Sequence, residues 1–209
     1  MAIAKAEGAR LVAGSRYLLA IVCLVGLYEV VSTLLDYQFT ATVVHFVAGD
    51  PTKHFSTVYT VTNLVALVVQ LFLTANIMSR FGVKAALLVM PLLILGVSGL
   101  FLLLPILWIG SSLNTVDNDF NYSINQSARE ALCTPLSRDE KYKAKAFIDM
   151  FLYRTAKVLA VGVALLAGAC FEEFEAVRWL SIVTLALGGL WLAVARFAGN
   201  EFRRLSEGP

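Results

Sequence analysis

Asn114, Asn118, Asn121, Asn125 and Arg129 are separated by four, three, four and four positions. In a helix that spacing lays them along one stripe. Asp117 stands beside the stripe, four positions before Asn121, while Leu113, Phe120, Ile124 and Ser127 occupy the other, less polar side. Amides that both donate and accept hydrogen bonds, closed by a guanidinium, suit the wall of a path for a polar solute. They equally suit a seam in which side chains stitch neighbouring helices together. Arg129 and Glu130 end the stripe, where a gate or ion pairs with the next, basic segment are both open. Asn121-Tyr122-Ser123 and Asn125-Gln126-Ser127 match glycosylation acceptors formally, but their place in a membrane helix removes that meaning.

Further charges lie in two other apolar segments. Glu29 and Asp36 are seven positions apart and share a helical face. Glu29 could be a hydrogen-bonded structural carboxyl, a cation-coupling group or a substrate contact. Asp36 could cap an interface or stand at the outer mouth of a cavity. Asp149 shares a face with Tyr153, and Tyr153 with Lys157, whereas Arg154 points about 100° away, to snorkel or to pair. Lys157 lies roughly midway into the membrane, where a buried lysine is a candidate anion site or a partner for Glu29 or Asp117. No phosphate loop, zinc-protease motif, nucleophile elbow or paired-cysteine zinc site is present. Cys23, Cys133 and Cys170 have no metal or redox spacing, and Cys23 and Cys170 read as small core residues. His45 and His54 match no metal motif. The chain is therefore expected to be no enzyme, to need no cofactor and to bind no metal or nucleic acid.

The elements that position these groups are membrane helices. Of 209 residues, 58% are hydrophobic and only 15% charged, and the mean hydropathy is +0.74. A water-soluble domain of this length needs more surface charge, so the chain reads as one integral, all-α membrane domain over residues 1–209. No cleavable leader is evident, since the first apolar run is long, holds Glu29 and is succeeded by further spans. Spans of about 20 residues are expected near 15–35, 56–78, 83–101, 105–132, 145–171 and 176–197. Pro105 is expected in the first turn of the fourth, and Gly49-Asp50-Pro51 marks a turn outside the membrane. With six spans, 12 of the 17 basic residues fall on one face: Lys5, Arg10, Arg16, Arg80, Lys84, Arg138, Lys141, Lys143, Lys145, Arg196, Arg203 and Arg204. Positive-inside bias then places both termini in the cytoplasm. Gly162 and Gly168 with Ala160, Ala164 and Ala167, and Gly188-Gly189, read as close-packing surfaces.

The run from Asp117 through Asn121, Asn125 and Arg129 to Glu130, continued by Leu132-Cys133-Thr134-Pro135 and by Lys141-Tyr142-Lys143-Ala144-Lys145-Ala146-Phe147-Ile148-Asp149, resembles the ATP/ADP translocase-type nucleotide transporters of plastids and bacteria. Leu34-Leu35-Asp36-Tyr37-Gln38-Phe39 resembles that family's seventh helix. The resemblance implies a six-helix bundle equivalent to the C-terminal half of a twelve-helix, major facilitator-like carrier. It implies ATP/ADP antiport, a bacterial inner-membrane location, and nucleotide, possible phosphate and lipid as partners. Asp36 matches the family's acidic residue of the seventh helix and Lys157 its lysine of the eleventh, by its spacing of eight from Asp149. Alternating access needs two halves around one site. A lone half is then expected to be a half-transporter, split-gene subunit or fragment that pairs with a second six-helix half or with itself. The alternative is a non-transporting membrane accessory or scaffold subunit.

Overall fold

The computed structural model describes residues 11–68, 71–72, 75–170 and 173–207, with the side chains at 75–78, 122, 123, 149, 173 and 207 outside the described set. It is all-helical, with no strand among the described residues. Helix α1 spans Arg16–Phe46. Its first turn is capped by Ser15, whose hydroxyl accepts from the Leu18 N–H at 3.4 Å, and it continues well beyond the apolar run that ends at Leu35. The chain leaves the helix at Val47, in an extended conformation, and turns at Gly49, whose φ of 88° suits a residue without a Cβ. Asp50 then accepts from the Thr52 N–H at 2.9 Å and from the Thr52 hydroxyl, starting α2, Thr52–Val68.

Helix α3 covers Ala75–Leu103 and is broken at Gly82, where φ 76° and ψ 175° fall in a region open essentially to glycine. It stops before Pro105, which has no N–H to give. Pro105 stands outside the next helix rather than in its first turn: α4 is Leu107–Phe120 with Ile106 as N-cap. Arg178 donates from Nε to the Leu102 carbonyl at 2.8 Å, satisfying an end carbonyl of α3. A π-helical segment, Asn121–Asn125, carries α4 without interruption into α5, Gln126–Leu132.

After a short turn, Ser137 and Glu140 form a reciprocal capping box at the start of α6, Arg138–Phe147. A second π-helical segment, Ile148–Leu152, joins it to α7, Tyr153–Cys170. Helix α8 spans Glu173–Glu207.

Four described helical stretches are long and apolar enough to cross a membrane: Arg16–Phe46, Ser79–Leu103, Arg138–Cys170 and Phe174–Ser206. Large apolar side chains such as Leu64, Trp108, Val158, Leu165 and Leu166 point outward, as they do in lipid. The chain is a multi-pass membrane protein. The rod from Leu107 to Leu132 is kept out of that group by its polar stripe.

Helix α1 is the hub, packing on α4, α7 and α8, while α3 and α8 form the most extensive pair. Its residues Val31, Leu34, Phe39 and Val43 are fully buried, and Tyr28 meets Trp191 of α8 at 5.6 Å between ring centroids. Gln38 ties the same pair, donating to the Val177 carbonyl and to Ser181 Oγ, both at 2.9 Å.

Glycine permits close approach at Gly110, where a Cβ would sit 2.6 Å from Thr42 Cγ2, and at Gly188, where it would sit 2.9 Å from Leu95 Cδ2. The expected packing by Gly162, Gly168 and Gly189 is corrected: among the described residues, nothing lies within 4 Å of a Cβ at these positions. Their neighbours Ala160 and Ala164 make that surface instead, against Leu34 and Leu180. Cys23 and Cys170 are corrected too, being exposed on the outer surface rather than in the core.

Candidate translocation site

The polar face of α1 repeats every three or four residues. Tyr28, Ser32 and Asp36 succeed one another at intervals of four, with Glu29 and Thr33 alongside. All five line a cavity of about 540 Å³, whose other walls are Asn114, Asp117, Asn118 and Asn121 from α4 and its π-helical extension, and Lys157 from α7. Six of the eight candidate residues therefore converge on one space: Glu29, Asp36, Asn114, Asp117, Asn121 and Lys157.

The α4 wall is firmly held. Ser32 Oγ donates to Asp117 Oδ2 at 2.6 Å, tying α1 to α4. Asn118 Nδ2 donates back to the Asn114 carbonyl at 3.0 Å. Asn114 and Asp117 are only 4% and 5% exposed, and the Oδ1 of each has no hydrogen-bond partner. Buried acceptors left unpaired are costly, so both are poised for a donor arriving in the cavity.

Lys157, expected to be buried, is exposed into this space, as is Asp36. No carboxylate among the described residues comes within the 4.0 Å of an ion pair with Lys157. The structural reading, in which Glu29 or Asp117 neutralises it directly, is therefore not what the structure shows. The side chain of Asp149 lies outside the described residues, and Arg154 is exposed away from the cavity.

The remaining two candidates leave the stripe. A π-helical turn holds an extra residue, so the residues beyond it are rotated by about 100° relative to an uninterrupted α-helix. The segment Asn121–Asn125 does this between Asn121 and Arg129. Asn125 turns into the bundle, 1% exposed, and donates from Nδ2 to Asn121 Oδ1 at 3.0 Å. Arg129 lies over the Tyr28 ring, 5.3 Å from its centroid, and borders a second cavity that shares no lining residue with the first. The ion pairs expected between Arg129 or Glu130 and the basic segment do not form among the described residues.

Tyr28, Ser32 and Thr33 do not stand out in the sequence alone. Ser32 stands four positions before Asp36, Thr33 four after Glu29 and Tyr28 four before Ser32, and that spacing is the signal that could have found them. The histidines play other parts: His54 Nε2 lies 3.0 Å from Ser111 Oγ, and His45 stacks on Phe174 at 4.1 Å. No group of three or more metal-ligating side chains occurs among the described residues.

No family model matches the chain, and no solved structure does. The chain is similar to ADP,ATP carrier protein 2 of Chlamydia trachomatis serovar D, with 24% identity over 220 aligned positions. The match covers 92% of this chain and 40% of that carrier, so the chain spans well under half the length of the relative.

Proposed function

We propose that the chain helps carry a nucleotide of the ATP/ADP class across a membrane by alternating access, as a six-helix half facing a second half. The observation that carries this reading is the meeting of Glu29, Asp36, Asp117 and Lys157 with the amides of Asn114, Asn118 and Asn121 in one 540 Å³ cavity. That volume is in the range of small-molecule sites, and the similarity to a protein named an ADP,ATP carrier supports that class of solute.

In this reading Lys157 meets a phosphate oxygen, the amides and Asp117 meet sugar and base edges, and Asp36 or Glu29 balances charge. Arg129 serves the boundary of the cavity from its place over Tyr28. Both termini lie on the cytoplasmic side of a bacterial inner membrane.

Three carboxylates face one lysine here. A polyphosphate entering the cavity needs more cations than this wall supplies, and a facing half is their natural source. Uptake of labelled ATP or ADP into proteoliposomes tests the proposal. Exchange is expected when the chain is reconstituted with a six-helix first half. No uptake by the chain alone and none with such a half would sink the reading in favour of a non-transporting accessory or scaffold subunit.

A further inference from the structure

We infer that the chain carries a second site, for a phosphate group, in the second cavity bordered by Arg129 and separate in its lining from the central one. This cavity, of about 360 Å³, lies between α1, α5, α6 and the turn that joins α5 to α6. Its floor is apolar, built from Leu18, Ile21, Val25, Leu136 and Ile148, and three cations surround it: Arg129, Lys141 and Lys145.

The convergence comes from the local structure. Lys141 and Lys145 are four apart on α6 and share a face with Ala144, which also lines the cavity. Lys143, on another face of the same helix, is tied to Asp139 at 3.2 Å, so the three lysines of this segment are not equivalent. Neither Lys141 nor Lys145 has a carboxylate within ion-pair distance among the described residues. The third cation comes from α5, because the π-helical turn at Asn121–Asn125 swings Arg129 out of the central stripe.

Arg129 shows that the arrangement is unsatisfied as it stands. One face of its guanidinium is engaged by Tyr28, yet Nη1 is buried with no hydrogen-bond partner. A guanidinium N–H withdrawn from water needs an acceptor. Glu130 is the one carboxylate in the lining, and it pairs with none of the three cations.

The cavity thus carries three positive charges to one negative, the reverse of the central cavity. A phosphate group offers oxygens enough for the guanidinium and both ammonium groups, and such charge-assisted bonds are the strong ones. Free phosphate, the phosphate tail of a small molecule and the headgroup of an anionic lipid share that chemistry. This site does not depend on transport, since it is defined by binding.

Equilibrium binding of radiolabelled inorganic phosphate to the full chain in nanodiscs of zwitterionic lipid tests the first source. The rise in thermal midpoint on adding phosphatidylglycerol to the discs tests the second. Lys141→Gln/Lys145→Gln is the test variant; both lysines are exposed, so the fold is expected to be kept, which its thermal midpoint in zwitterionic discs checks. Lys143→Gln is the control. Saturable phosphate binding, weakened about tenfold or more in the double variant and kept in the control, supports the site with a free anion as ligand. A phosphatidylglycerol response with the same dependence supports it with lipid as ligand. If wild type responds to neither, or the double variant responds as wild type does, the site does not exist.

Discussion

Lys157 faces carboxylates without pairing with any among the described residues, and a cation so placed is available to a ligand. Charge-assisted hydrogen bonds to it are worth roughly 1.5–3 kcal/mol, which corresponds to about 10–150-fold in affinity or rate. Lys157→Gln is therefore expected to lower nucleotide uptake by that factor. Lys53→Gln, an exposed change outside the cavity, should leave uptake intact; equal losses in both variants would remove Lys157 from the site. Ser32 and Asp117 form a separable pair. Ser32→Ala leaves the Asp117 carboxyl, already without a partner on Oδ1, without its bond on Oδ2. A loss of about 1–3 kcal/mol in unfolding free energy is expected, read by chemical or thermal denaturation in detergent. Glu29, Asp36, Asp117 and Lys157 stand out in the sequence because ionised groups are rare inside apolar segments. Ser32 does not, since a hydroxyl in a membrane helix can satisfy itself on the preceding turn, as Thr33 does on the Glu29 carbonyl at 2.8 Å.

Helix contacts are decided at a few small residues. Gly110→Ala places a methyl against Thr42 on α1, and the overpacking is expected to cost about 1–3 kcal/mol. Gly168→Ala meets open space inside a helix and should be neutral or stabilising by up to about 1 kcal/mol. Comparing the two thermal midpoints checks which glycines are structural; a reversed order would contradict the packing of α1 on α4. At the start of α2 the bonds from Thr52 hold the Asp50 carboxyl below its usual range. A carboxyl lowered on folding stabilises above its unfolded value and loses that effect as the pH falls through its folded value. Protection of the Thr52 amide from hydrogen exchange should then be flat above about pH 5 and decline in stronger acid. Persistence at low pH would show that the cap is not carried by the ionised form. The π-helical turns at Asn121–Asn125 and Ile148–Leu152 are invisible in the residue spacing. They arise where tertiary packing rewards an extra residue per turn, and no local propensity announces them.

At the scale of the molecule, outward apolar side chains and an inward polar cavity describe a body immersed in lipid. Leu165→Arg, on the outer surface of α7, should hinder insertion by about 2.5–3.5 kcal/mol, seen as a loss of membrane-integrated chain in a glycosylation-mapping assay. Insertion equal to wild type would place α7 against protein instead. The amino-acid sequence by itself determined the membrane class, the all-helical build and most of the polar shortlist. Hydropathy and helical periodicity are properties of neighbours along the chain, and they survive in any fold that keeps the helices. Tertiary structure alone decided how that shortlist divides. It brought Glu29 and Asp36 of α1 opposite Lys157 of α7, and through one π-helical turn it sent Arg129 away from the asparagines that precede it in sequence. Those outcomes depend on rotations of whole helices about their axes, set by contacts such as Gly110 on Thr42, which no one-dimensional spacing contains.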